Sequence, residues 1–206
     1  GKAGQERENV GEAFGALTSK QTELGIKLNK ESYSVTAAVF RMEIGAEYVD
    51  EDNYFVQDGI SQFDGFELAG ELRLSDDLTV FAQTMIMSAE YKSADEAIIG
   101  NDVKGVPSKR YSTGLVYNPL ENLKLRASAN YVGGTNIDAA NSYETDAYTT
   151  VDLFASYELN DSSSLNFGIK NVLDEEYYTV RSSTNSDALM IGSPRTFMAS
   201  YSISFE

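Results

Sequence analysis

The sequence predicts an all-β fold, an antiparallel up-and-down transmembrane β-barrel segment of about eight to ten strands with short turns on one side and long loops on the other. Three patterns lead there: a two-faced strand at the C-terminus, the same alternation repeated along the chain, and connections that alternate in length. In residues 196–205 an apolar set (Phe197, Ala199, Tyr201, Ile203, Phe205) alternates with a mostly polar one (Thr196, Met198, Ser200, Ser202, Ser204). Ten residues at roughly 3.3 Å each span the tilted thickness of a bilayer. The aromatic residues of the apolar set fall where a membrane–water boundary would lie.

The alternation recurs upstream. Leu24, Ile26 and Leu28 begin it, followed by Phe66, Leu68, Gly70 and Leu72, then Tyr111, Thr113, Leu115 and Tyr117. Leu123 to Tyr131, Thr149 to Leu159 and Leu165 to Ile169 continue it at every second position. Stretches near 33–41 and 78–88 are apolar on both faces, so they read as strands whose facing the alternation leaves open. Clusters of turn formers near 29–31, 75–77, 118–122 and 160–163 mark short connections. Long polar excursions are expected near 47–62, 91–109, 133–147 and 174–194.

Composition bounds the function. The chain has 206 residues, three prolines and 42% hydrophobic content, which fits one all-β unit, with residues 1–19 a partial loop and 20–206 the barrel strands. No run of eighteen apolar residues exists, so a helical span is not expected. A net charge of −16 disfavours nucleic acid as a partner, because phosphate backbones reward Lys and Arg. With no His and no Cys, the His-based triads, Cys nucleophiles and the commonest zinc ligands are unavailable, so no enzyme, no cofactor and no metal site is expected. Asp50, Glu51, Asp52 and Asn53 offer hard oxygen ligands, but without EF-hand spacing they read as a solvated charge run. The polar, unpatterned start at residues 1–9, with no signal peptide before the first strand, reads as a loop cut partway, so the chain is expected to be the C-terminal part of a longer polypeptide.

The run Asn171, Val172, Leu173, Asp174, Glu175, Glu176, Tyr177, Tyr178, then Gly192, Ser193, Pro194, Arg195 and the alternating end strand, resembles the C-terminus of TonB-dependent outer-membrane receptors. Residues 19–27, Val106-Pro107, residues 131–133 and 147–153 resemble the siderophore-receptor branch of that family. Two departures stand out. Glu206 follows Phe205 where the family ends on an aromatic residue, and the N-terminal plug domain and most of the barrel are absent.

The resemblance implies a bacterial outer-membrane protein for uptake of a ferric siderophore, the chelate being cargo rather than cofactor. Its implied partners are membrane lipid, the plug domain and remaining strands, a TonB-type energy transducer and the barrel-assembly machinery. Receptors of this kind resemble 22-stranded plugged barrels, so this chain alone is not expected to transport. Asn171, Asp174, Tyr177, Gly192, Pro194, Arg195 and Phe205 then carry the family motif in a structural role.

Thirteen tyrosines and ten phenylalanines with no tryptophan supply an aromatic girdle and leave several rings in long loops. Tyr48, Tyr54, Phe55, Tyr91, Tyr143, Tyr177 and Tyr178 fall where an outer mouth would be; of these Tyr91, Tyr143, Tyr177 and Tyr178, with Arg110 and Arg181 for an anionic chelate, form the ligand-contact set. Lys124, Arg126 and Lys170 alternate with apolar neighbours and are expected to face the lumen, since lipid exposure costs about 2–4 kcal/mol each near the midplane. Two other readings remain open at this point: a complete small eight-stranded membrane barrel with a structural or adhesion role, and a soluble lipocalin-like binder. An isolated wall exposes two strand edges, so it is expected to close on itself or pair with another copy.

Overall fold

A computed structural model describes residues 15–49, 54–182 and 187–205. Eleven strands form among them: β1 (Ser19–Asn29), β2 (Tyr33–Val49), β3 (Phe55–Arg73), β4 (Leu78–Ser93), β5 (Lys109–Leu120), β6 (Leu123–Val132), β7 (Tyr148–Asn160), β8 (Ser163–Lys170), β9 (Tyr178–Ser182), β10 (Asp187–Ile191) and β11 (Thr196–Ile203). Nine of them make one antiparallel sheet in the order β1-β2-β3-β4-β5-β6-β7-β8-β11, and β9 and β10 form a separate hairpin within the last long connection. Sequence neighbours pair from β1 through β8, and β11 then follows β8 past the β9–β10 hairpin, the up-and-down pattern that alternation without crossover helices dictates.

The turn chemistry explains the short side. Asn160 Oδ1 accepts from Ser162 N at 3.0 Å and from Ser163 Oγ at 3.0 Å, closing a two-residue turn between β7 and β8. Ser75 Oγ likewise accepts from Leu78 N at 3.1 Å between β3 and β4. On the opposite side, the chain from 94 to 108 includes one 3-10 turn at Glu96–Ile98, begun by Asp95, whose carboxylate accepts from Ala97 N.

One expected loop is instead strand. The polar stretch 47–62 lies mostly in β2 and β3, which stay paired out to Val49 and Phe55, with register shifts at Ala46/Tyr48 and Ile60/Ser61. Polarity misleads there because a hairpin that projects past the apolar band meets water on both faces and keeps its ladder without an apolar side. Arg41 and Asp64, directly paired across β2 and β3, form a 2.6 Å ion pair, and Gln62 Nε2 donates to the same carboxylate at 2.5 Å. The acidic run 50–53 lies outside the described residues.

Register resolves the facing that alternation left open. Cross-strand pairs put Leu28, Val35, Gly70, Ala82, Thr113, Ala129 and Val151 on one face. The other face carries Lys27, Thr36, Ala69, Gln83, Ser112, Asn130 and Thr150 by the same rule. Lys124, Arg126 and Lys170 fall on this polar face, paired with Ser156, Phe154 and Thr196. Three phenylalanines also sit there, each directly opposite a glycine: Phe40 on Gly65, Phe81 on Gly114 and Phe154 on Gly168. A ring laid flat over a glycine covers backbone that would otherwise be bare. The guanidinium of Arg126 then covers Phe81 at 4.5 Å from the ring centroid.

The apolar face is not buried by protein. Leu24 and Ile26 are 75% and 72% exposed, and among the described residues no large side chain is fully buried. A soluble lipocalin-like barrel would hide these residues in its interior, so that reading is overturned. The sheet also does not close on itself: β1 and β11 are its two edges, so of closure or pairing with another copy it is closure that is corrected, and with it a closed eight-stranded barrel.

Candidate functional site: the loop-end mouth

The long-connection end of the polar face is fastened by the motif that the sequence singles out. Asn171 follows β8 with φ of 49°, a conformation that Asn tolerates better than most residues, and is only 3% exposed. Its side chain is fully used: Nδ2 donates to the carbonyls of Glu175 (2.9 Å) and Ser193 (3.0 Å), and Oδ1 accepts from Glu175 N at 2.9 Å. Asp174 (φ 56°) accepts from Arg195 N at 2.8 Å through Oδ1 and pairs with the Arg195 guanidinium at 3.2 Å through Oδ2. The ring of Tyr177 lies where a Cβ on Gly192 would stand. The exit of β8 and the approach to β11 are thereby clasped, and the β9–β10 hairpin projects from the clasp. Pro194 follows Ser193 at the turn into β11, where Thr196 Oγ1 donates to its carbonyl at 2.9 Å. Phe205, two residues beyond β11, is exposed.

A polar ladder ties the clasp to the wall. Ser112 Oγ donates to Asn130 Oδ1 at 2.8 Å, Asn130 Nδ2 donates to Asp152 Oδ2 at 3.5 Å, and Asp152 Oδ1 accepts from Asn171 N at 2.9 Å. These residues run across β5, β6 and β7. Sequence reasoning did not single out Ser112, Asn130 or Asp152. The available signal was Asp152 itself, an acid in the middle of the polar side of 149–159, which needs donors wherever it is only part-exposed.

Of the ligand-contact set, Arg110 and Tyr177 are brought toward one place. Arg110, Val132 and Tyr148 share a cross-strand row on the polar face, and Tyr148 stacks on Tyr177 with centroids 4.0 Å apart and planes 18° apart. Tyr148 was missed because it opens a strand rather than standing in a loop. Tyr91 lies on the polar face of β4, where its backbone closes the next connection through Asn101 and Gly100. Tyr143 is 71% exposed, and Tyr178 and Arg181 lie exposed on β9. Tyr48 lies in β2 and Tyr54 just before β3, while the side chain of Phe55 lies outside what is described.

The two connections 94–108 and 133–147 are bonded to each other. Asp102 N donates to Asn141 Oδ1 at 2.8 Å while Asn141 Nδ2 returns a bond to Asp102 O at 2.9 Å. Asn101 Nδ2 reaches Ala139 O at 2.9 Å, and Gly105 N reaches Asn136 O at 2.8 Å. Within the second connection Asp138 Oδ1 accepts from Ser142 N (2.9 Å) and Tyr143 N (3.1 Å). Partial desolvation opposes ionisation there, and the N–H groups of Tyr143 and Ser142 overcome it, holding the Asp138 carboxyl below its ordinary value. Among the described residues no group of His, Cys, Asp and Glu is arranged to hold a metal.

A wall that is apolar outside and polar inside, with tight turns at one end and interlocked connections at the other, defines the outer-membrane β-barrel class. Residues 4–172 match the family model described as TonB dependent receptor-like, beta-barrel, and the chain belongs to that family. It is 28% identical over 206 residues to the metal-pseudopaline receptor CntO of Pseudomonas aeruginosa, covering 95% of this chain and 29% of that protein. It is 28% identical over 211 residues to the ferrichrome receptor FcuA of Yersinia enterocolitica, covering 96% of this chain and 27% of that one. Among solved structures it resembles BauA, the ferric preacinetobactin receptor of Acinetobacter baumannii, at a TM-score of 0.79 and 24% identity, covering 95% of this chain and 31% of that one. The chain thus spans less than a third of the length of these relatives. TonB-dependent receptors are bacterial outer-membrane proteins, which places the apolar face in lipid, and the relatives are transport receptors rather than enzymes.

Proposed function

We propose that this chain is the C-terminal wall of a receptor that takes up a ferric siderophore, and that its loop-end mouth contributes ligand contacts. The carrying observation is the convergence of Arg110, Tyr148 and Tyr177 on the polar face beneath interlocked loops. A guanidinium beside stacked rings suits an anionic chelate with a broad, partly apolar surface. Tyr91, Tyr143, Tyr178 and Arg181 extend that surface. Residues 20–206 act as one barrel unit, and transport requires the remaining strands, a plug domain and a TonB-type transducer, with insertion by the barrel-assembly machinery. Family membership supports the plug and the transducer. The ferrichrome and metal-pseudopaline receptors among the relatives support a metal chelate as cargo.

The test is made in the full-length receptor. Replacing Tyr91, Tyr143, Tyr177 and Arg181 together should weaken binding across a panel of ferric siderophores. Unchanged affinity for the chelate that the parent receptor binds would sink the proposal.

A further inference from the structure

The lipid-facing side of the sheet is not uniformly bulky. Gly70, Ala82, Thr113 and Ala129 are successive cross-strand partners on β3, β4, β5 and β6, so four small residues lie in one row. They floor a hollow of about 760 Å³. Tyr33 stands at its turn end, and Tyr111 and Tyr131, with centroids 5.6 Å apart, stand at its loop end. Glu71 borders it but belongs to the polar face by register, being the partner of Ser34 and Phe81.

We propose that this hollow retains one acyl chain of a phospholipid. The face is continuous with the membrane surface of the barrel, so the hollow cannot stay empty without its lining losing dispersion contacts. Water fits poorly, because few polar groups line it to hold the two to four hydrogen bonds that a buried water needs. A second barrel presents a convex wall, which does not reach a recessed floor. A slender hydrocarbon chain does, and small residues let it approach the backbone as they do between membrane helices. The turn end supplies the complement of a zwitterionic headgroup: Lys30 N donates to Tyr33 O at 2.8 Å, closing beside the Tyr33 mouth a turn that carries Lys30 for a phosphate and Glu31 for an amine. That mouth assigns the chain to the turn-side leaflet and so to phospholipid.

The test uses the full-length receptor in mild detergent, titrated with dipalmitoyl phosphatidylethanolamine and read by native mass spectrometry. The parent should keep one lipid under activation that strips the rest. Ala82→Phe combined with Ala129→Phe fills the floor and should weaken that retention at least tenfold. Val39→Phe, on the same face outside the hollow, should leave it unchanged. Unheated electrophoretic mobility reports whether each variant is folded; if the double variant misfolds, Thr113→Leu takes its place with the same expectation. Equal retention by the filled variant and the parent overturns the proposal, as does no retained lipid in the parent. A receptor dimer that filling alone abolishes also overturns it, in favour of a second copy.

Discussion

The ring of Tyr177 fills the space above Gly192, and the Gly192 N–H donates to the Tyr177 carbonyl at 2.8 Å, so ring and backbone of one residue are both held by the other. The same ring stacks on Tyr148. A methyl group at position 192 must displace it, because ring and Cβ cannot share that space. Gly192→Ala should therefore destabilise the clasp by about 1–3 kcal/mol, the usual cost of overpacking. It should also lower chelate affinity in the full receptor by separating Tyr177 from Tyr148. Thermal unfolding and ligand titration check both; an unchanged melting temperature would mean that the ring swings aside freely.

Asn171 separates backbone conformation from hydrogen bonding. Asn171→Gly suits a φ of 49° but removes the groups that serve Glu175 N, Glu175 O and Ser193 O. Each such hydrogen bond contributes about 0.5–1.5 kcal/mol net, so the glycine variant should still melt below the parent. Asn171→Asp retains the acceptor and a tolerated φ yet aims a second oxygen at two carbonyls, and should be no better. A glycine variant as stable as the parent would show that the left-handed turn, not the hydrogen-bond hub, explains the asparagine.

Alternation made the wall legible because a side chain that meets lipid must be apolar whatever else the protein does. Leu123 to Tyr131 and Thr149 to Leu159 read as strands for that reason, and β6 and β7 lie there. The asparagine at 171 and the glycine at 192 were legible through family resemblance as motif, but not as a clasp, since their partners lie 22 residues apart in sequence for Asn171 and Ser193. The hairpin tip near 47–62 misled because polarity signals loop only where strands need an apolar face. Phe40, Phe81 and Phe154 escaped notice because an aromatic on a polar face becomes intelligible only when register sets Gly65 opposite Phe40, Gly114 opposite Phe81 and Gly168 opposite Phe154.

The two faces can be told apart by one pair of substitutions on β6. Ala127 pairs with Leu115 and Leu153 on the apolar face, between the rows that hold Tyr117 and Tyr131, whereas Ser128 pairs with Gly114 and Asp152 on the polar one. Ala127→Lys should cost about 2–4 kcal/mol, the range for a lysine that faces lipid near the midplane. Ser128→Lys meets Asp152 across the strand and should change stability by less than about 1 kcal/mol. Unfolding of the full receptor in lipid measures both, and equal costs would contradict the assignment of faces.

Asp138 makes the loop-end mouth sensitive to acid in a direction that follows from its pKa. Its carboxyl is held below its ordinary value in the folded loop by the Tyr143 and Ser142 N–H groups, against desolvation. The ordering it provides is therefore complete above the unfolded aspartate value and is lost as pH falls through the lower, folded value. Amide exchange at Ser142 and Tyr143, corrected for the intrinsic pH dependence of exchange, should accelerate over that acidic window and stay flat above it. Asp138→Asn keeps an oxygen acceptor but cannot titrate, so its exchange should show no such rise. Because 133–147 is bonded to 94–108 through Asn141 and Asp102, the amide of Asp102, which donates to Asn141 Oδ1, should loosen over the same window. If Ser142 and Tyr143 open while Asp102 stays protected, the two connections move separately despite their reciprocal bonds.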